Sequence, residues 1–307
     1  MSRVRTGRVR LPMAAMAAAA MLVTMSTPAG AQMEPKQPVI TSAPKAVDYN
    51  RNARIAGRLE GGMAGDRVRL QRHTGTWKTI AARDVREDGT VGFLVENLKH
   101  SAAYRFLHVD ATTGERTVSD RRRIAVVARL RVHTTKDHLM RGRRTRVYGS
   151  LFPKAPGRTV LLQQKVSGEW RGIDRLPAGD GFFSTYFRPS DPGFRRLRVR
   201  FGGDEDNRRA SARSGIRVYE PDLATWYGPG FYGNRTACGK TLGYDTLGVA
   251  HRTLPCGTKV SILFEGRTIT VPVIDRGPYS SANWDLTRET AERLRFSGKD
   301  TIGTDRH

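Results

Sequence analysis

Two short segments near the C-terminus hold residue types suited to a sugar-directed site. Ala224-Thr225-Trp226-Tyr227-Gly228-Pro229-Gly230-Phe231-Tyr232-Gly233 sets four aromatics among Gly and Pro. Glycine lets backbone approach a ligand closely. Trp226, Tyr227 and Tyr232 around Gly228 offer π faces on which sugar C–H faces stack. The alternative is an aromatic loop that only covers a small barrel. Further on, Asp275-Arg276-Gly277-Pro278 ends an apolar alternating run, which puts Asp275 at a strand end before a turn. Such an Asp serves either a ligand or the loop itself, by accepting backbone N–H bonds. His251, in Ala250-His251-Arg252-Thr253-Leu254-Pro255, reads either as a partner for that acid or as a buried histidine satisfying backbone. The chain has two cysteines, Cys238 and Cys256. In an exported chain an even count suggests a disulfide, and closing a loop of this size stabilises by about 3 kcal/mol. Two Cys and one nearby His do not make a metal-ligand set, so no metal and no cofactor are expected.

These residues need elements to hold them. Lys259 to Phe264 and Arg267 to Ile274 alternate in polarity around Glu265-Gly266 and read as a hairpin that runs into Asp275. Trp284-Asp285-Leu286 leads into a short helix with Thr287 as a plausible N-cap, Leu286, Ala291 and Leu294 inward, and Gly298 as the stop. Asp285 itself either caps that helix or orients the site.

Upstream lies an internal repeat with an offset of about 92 residues. Gly57-Arg58-Leu59 matches Gly149-Ser150-Leu151, and Val68, Leu70 and Gln71 match Val160, Leu162 and Gln163. Trp77 matches Trp170, and Asp88-Gly89 matches Asp180-Gly181. Alternating runs such as Arg67-Val68-Arg69-Leu70-Gln71 between turn residues are the pattern of half-buried antiparallel strands. Units of this size predict two small β-sandwiches of immunoglobulin-like type, with Trp77 and Trp170 in their cores. Nothing in them looks catalytic, and His133 and His138 read as surface residues. Residues 32–48, rich in Pro, Ala and Lys, read as a linker.

The first 31 residues have the form of a signal peptide. Arg3, Arg5, Arg8 and Arg10 precede an apolar run from Leu11 to Met25, and Ala29-Gly30-Ala31 offers a cleavage site. No second apolar stretch of spanning length follows, so no transmembrane anchor is expected after cleavage. The chain carries a net charge of +24. From Pro221 onward eleven basic residues nearly balance nine acidic ones, so most of the excess lies in the repeat. In Arg195-Arg196-Leu197-Arg198-Val199-Arg200 the alternation puts guanidinium groups on one solvated face. For an exported chain, wall polymers and phospholipid surfaces are the local polyanions, and such a face suits teichoic-type phosphates or peptide carboxylates as partners for Arg. The export signal argues against nucleic acid.

Five motifs in order give the C-terminal segment a specific resemblance. Trp226-Tyr227-Gly228, Arg235-Thr236-Ala237, Ala250-His251-Arg252-Thr253-Leu254-Pro255, Gly257-Thr258 and Asp275-Arg276-Gly277-Pro278 are followed by Asp285-Leu286-Thr287. Together they resemble the rare lipoprotein A-like domain, a six-stranded double-psi β-barrel of septal ring lytic transglycosylases. Ala237-Cys238-Gly239 and Cys256-Gly257 add a more distant likeness to expansins and barwins.

The resemblance implies a secreted, cell-wall or periplasmic protein that acts on peptidoglycan glycan strands. The reaction would be lytic transglycosylation between N-acetylmuramic acid and N-acetylglucosamine, leaving 1,6-anhydro ends. That chemistry needs a carboxylic acid with a raised pKa. A second carboxylate is dispensable when the substrate's acetamido group assists. On this reading Asp275 is the acid, His251 its partner and Asp285 an orienting group. Trp226, Tyr227, Gly228, Tyr232, Arg235, Thr236 and Arg276 contact substrate. One departure stands out: Lys240 follows Gly239 where enzymes of the family tend to have Glu. The domain then either binds or loosens glycan without turnover, as expansins do, or uses Lys240 for a muramyl carboxylate. The last strand also looks short.

The expected architecture is therefore all-β. A signal peptide (1–31) and linker (32–48) precede two β-sandwich modules (49–128 and 129–220). A double-psi barrel with a short helix follows (221–307).

Overall fold

A computed structural model describes residues 34–306. The expected signal peptide at 1–31 lies outside the described residues. The first sandwich comprises β1 (Gln37–Ser42), β2 (Ala46–Asp48), β3 (Arg51–Glu60), β4 (Arg67–Thr74), β5 (Thr76–Asp84), β6 (Thr90–Leu98), β7 (Ala102–Val109), β8 (Arg116–Val118) and β9 (Arg122–Val127). One sheet has the order β1-β3-β6; the facing sheet runs β5-β4-β7-β9, with β2 added parallel to β9. Residues 37–48 are thus not a linker. Pro38 and Lys45 give the segment a linker's composition, but Ile40 is buried in the core and β1 pairs with β3 from Gln37 onward.

The second sandwich repeats this plan with β10 (Arg129–Thr134), β11 (His138–Met140), β12 (Thr145–Phe152), β13 (Thr159–Val166), β14 (Glu169–Pro177), β15 (Phe182–Phe187), β16 (Gly193–Gly203) and β17 (Arg208–Tyr227). Its sheets are β10-β12-β15 and β14-β13-β16-β17, with β11 parallel to β17. This is the immunoglobulin-like arrangement, present twice. The repeat has physical causes. A Cβ on Gly57 would lie 1.9 Å from Val39 O, and one on Gly149 would lie 2.0 Å from Arg131 O, because the first strand of each sandwich crosses there. Alternation buries Ile55, Val68 and Phe106 in one core and Val147, Leu162 and Val199 in the other. Each such side chain contributes about 1.5–3 kcal/mol.

The repeated tryptophans are not in these cores. Trp77 and Trp170 are half-buried on the outer faces, where Arg105 and Arg198 stack on them at 4.2 and 4.3 Å. The same guanidinium groups donate to Gln71 (2.8 Å) and Gln163 (2.7 and 3.0 Å). His133 is exposed as expected. His138 is half-buried, and its Nδ1 lies 2.7 Å from the Tyr219 hydroxyl.

β17 does not stop where the composition changes at Pro221. It runs on as the first strand of the barrel with β18 (Val249–Ala250), β19 (Lys259–Phe264), β20 (Arg267–Asp275), β21 (Trp284–Thr287) and β22 (Asp300–Arg306). The pairings close a ring of six, β17-β21-β18-β20-β19-β22 and back to β17, which leaves no open edge. The final strand, expected to be short, pairs on both sides and completes the closure. Glu265 and Gly266, with φ of 45° and 80°, form the expected hairpin turn.

The helix α1 (Arg288–Leu294) is capped by Thr287, not by Asp285. It ends at Arg295 in the left-handed conformation rather than at Gly298. Among the described residues no helix is long and apolar enough to cross a membrane.

Candidate active site

Four strands of the barrel bring the acids together. Ala250 on β18 pairs with Asp275 on β20 on one side and with Asp285 on β21 on the other, and Asp285 pairs in turn with Thr225 on β17. Asp275, Ala250, Asp285 and Thr225 therefore form one cross-strand row. A register shift beside Ala250 passes over Ile274 and carries Asp275 into that row. Bulges re-aim side chains in this way beside functional sites.

The two carboxylates sit in different environments. Asp275 is half-buried, and its Oδ1 accepts from the amides of Ala237 and Arg276, both at 2.8 Å. Asp285 is half-buried and accepts from the Thr225 hydroxyl at 2.8 Å. Burial holds its pKa above the usual carboxylate value, and the charge of Asp275 adds to the shift against the opposing Thr225 bond. Tyr227, two residues beyond Thr225 on β17, lies close to both acids. Burial, then the charges of Asp275 and Asp285, hold its phenol well above its usual pKa, so it is a neutral donor. Its buried hydroxyl has no hydrogen-bond partner of good geometry.

The turn from Arg235 to Thr241 supplies the Ala237 amide. Arg235 and Thr241 form a β-bridge, and the Thr236 hydroxyl accepts from the Lys240 amide at 3.1 Å. The disulfide Cys238–Cys256, with Cα atoms 5.7 Å apart, ties this turn to the loop before β19. Arg235 donates to Gly239 O and braces its own turn, while Lys240 is exposed. Arg276 reaches His251 O, Asp275 O and Cys256 Sγ, each at 3.4 Å. The disulfide is consistent with an oxidising compartment outside the cytoplasm.

His251 does not join the acids through its ring. Its Nδ1 accepts from the amides of Thr253 (3.2 Å) and Leu254 (3.1 Å), which places the hydrogen of the neutral ring on Nε2. Burial, chiefly, lowers its pKa, and the ring packs 4.4 Å from buried Trp284. Only its backbone touches Asp275, through N–H to O at 3.2 Å. Trp284 in turn donates to Asp222 at 2.9 Å.

Tyr232 stacks on Tyr244 at 4.0 Å, and a Cβ on Gly228 would lie 2.3 Å from the Tyr232 hydroxyl, so only glycine fits there. Trp226 alternates to the other face of β17 from Thr225 and Tyr227. Phe231, and Tyr279 just past Asp275, are exposed. Thr225 and the Ala237 amide were not legible as site groups. The barrel's register brings Thr225 to Asp285, and the disulfide-tied turn brings the Ala237 amide to Asp275.

Residues 222–304 match the family model described as "Lytic transglycolase" (DPBB_1). Over 75 residues the chain is 43% identical to the endolytic peptidoglycan transglycosylase RlpA of Campylobacter jejuni, covering 24% of this chain and 27% of that protein. Over 79 residues it is 42% identical to RlpA of Pseudomonas aeruginosa PAO1, covering 24% of this chain and 22% of that protein. The alignment thus spans about a quarter of these relatives' length. An ICAM-5 ectodomain fragment aligns over 79% of this chain and 76% of its own at 14% identity with a TM-score of 0.36, too low to carry weight. The C-terminal segment of this chain is a double-psi β-barrel domain of the lytic transglycolase family, homologous there to endolytic peptidoglycan transglycosylases.

Proposed function

We propose that this is an exported wall-remodelling protein whose barrel cleaves peptidoglycan glycan strands between N-acetylmuramic acid and N-acetylglucosamine. The reading rests on the row that sets half-buried Asp285, with its raised pKa, across Ala250 from Asp275. Asp285, rather than Asp275, is the proton donor. It protonates the glycosidic oxygen as the bond from that oxygen to C1 of the muramyl residue breaks. The C6 hydroxyl of the same residue then bonds to C1, and its proton returns to Asp285. The product is a 1,6-anhydro end, and no water is consumed. The Asp275 carboxylate, fixed by two amides, faces the positive charge that develops at C1. Tyr227 supplies a neutral hydroxyl donor to the sugar, and His251 positions the loop that carries Arg252 and Leu254.

The test is mass spectrometry of soluble products from intact and peptide-stripped peptidoglycan. Anhydro-ended fragments are expected from the wild-type protein and absent with Asp285→Asn. Hydrolytic, reducing-end fragments would overturn the reaction, and undiminished product from Asp285→Asn would overturn the assignment.

A second reading is a barrel that binds or loosens glycan without turnover. Exposed Lys240, a cation on the turn that holds Asp275, favours it. Glycan binding with no fragments from either substrate would establish this reading instead.

A further inference from the structure

The outer face of the second sandwich's larger sheet carries an unusual set of side chains. Strand register places Arg175, Leu161, Arg200 and Ser211 in one row across β14, β13, β16 and β17. Gly172, Gln163, Arg198 and Arg213 form the next. Lys165 opposite Trp170, and Arg196 opposite Gly215, continue the pattern. Leu162, Leu197 and Val199 point into the core, so Lys165, Arg196, Arg198 and Arg200 face outward. Among the described residues none of these six cations forms a salt bridge. Arg198 and Arg213 lie directly opposite each other, a like-charge pair that weakens a sheet.

The first sandwich shows which of these charges the fold needs. Arg105 occupies the place of Arg198, and each makes the same stack on Trp and bond to Gln. That arginine is part of the framework. At the places of Arg175, Arg196 and Arg200 the first sandwich has Ala82, Ala103 and Leu107. The first sandwich therefore forms without cations at those three places, although Arg69 and Arg123 stand at the places of Leu161 and Gly215.

We infer that this face of the second sandwich is a binding site for a linear phosphodiester polymer of the cell wall. Arg196, Arg198 and Arg200 repeat along one strand at about 6.6–6.8 Å, flanked by Arg175 and Arg213, so the charge forms a strip that an extended polyanion can follow. Five of the six cations are arginine, whose planar fork pairs with phosphate oxygens two at a time, though Arg198, committed to Gln163 and Trp170, adds charge only. Phe194, at the end of the face, covers Gly215, within 2.4 Å of where a Cβ would stand. The site stands apart from the barrel's reaction, and neither depends on the other.

The experiment is fluorescence anisotropy with labelled poly(glycerol phosphate) and the full-length protein. Arg175→Ala/Arg196→Ala/Arg200→Ala is compared with Arg83→Ala/Arg86→Ala/Arg121→Ala, which removes the same charge from exposed positions of the first sandwich. Thermal melts of both variants confirm folding. The first triple is expected to weaken binding at least about tenfold and the second by less than about threefold. Wild-type binding should fall steeply between about 50 and 300 mM salt. Equal losses from both triples, or no binding of the polymer, would overturn the inference. So would tighter binding to phosphatidylglycerol/phosphatidylcholine vesicles or to polyglutamate.

Discussion

On the second sandwich Arg196, Arg198 and Arg200 stand on the outer face of one strand with no salt bridge among the described residues, whereas in the barrel Asp275 and Asp285 share one half-buried row. Arg196 and Arg200 keep their charges hydrated and attract a polyanion over about a Debye length, roughly 8–10 Å, while Arg198 between them is half-buried against Trp170. The acid row removes charge from water, and the cost appears as altered proton affinity in Asp285 and Tyr227. Exposed charge suits capture, and desolvated charge suits proton transfer. Both sets alternate with core-facing residues along their strands; the acids differ in that both are held half-buried.

The comparison is most easily broken at the acids. Asp285→Asn and Asp275→Asn are each expected to lower anhydro-product formation by about 10²–10⁴-fold. Product assays on the arginine triple should match wild type on soluble glycan fragments, and an equal loss there would dissolve the division of labour. Next in size is the disulfide. Cys238→Ser/Cys256→Ser should cost about 3 kcal/mol in chemical denaturation. It should also slow turnover, because the Ala237 amide that holds Asp275 lies beside it. An unchanged midpoint would contradict this.

Smaller effects separate framework from binding arginines. Arg198→Ala strands Gln163 and unstacks Trp170, for an expected cost of about 1–3 kcal/mol. Arg196→Ala should stay within about 0.5 kcal/mol of wild type. Equal costs would mean that both are structural.

The last effect depends on pH. Because the folded pKa of Asp285 is raised, the native state binds more protons than the unfolded one between the ordinary carboxylate pKa and the raised value. Stability from this group is full below that window and is lost as pH rises through it. Asp285→Asn should therefore be more stable than wild type at neutral pH and should lose that advantage in acid. Denaturation midpoints across pH check it, and a constant difference would refute it.

Much of this was legible in the sequence. Alternating polarity gave the strands, and the spacing of Gly57 and Gly149 exposed the repeat because both glycines answer the same backbone crossing. The ordered motifs of the barrel named its family. Legibility failed where tertiary context decides. β1 has a linker's composition, yet Ile40 belongs to a core. Trp77 has the size of a core residue, but it faces outward with Arg105 as its cover. His251 reads either as a partner for Asp275 or as a histidine satisfying backbone, and its ring is used by the turn at Thr253 and Leu254. Asp285 reads either as a cap or as an orienting group; its place in the acid row follows from strand register around Ala250, which no local pattern displays.

The central claim is that Asp285 is the carboxyl that keeps its proton. Carbon-13 NMR titration of the side-chain carboxyls, with Asp285→Asn to assign the resonance, measures this directly. The Asp285 signal is expected to titrate above the ordinary carboxylate range, and to move closer to that range in Asp275→Asn. A signal that titrates at the ordinary value in the wild-type protein would contradict the account.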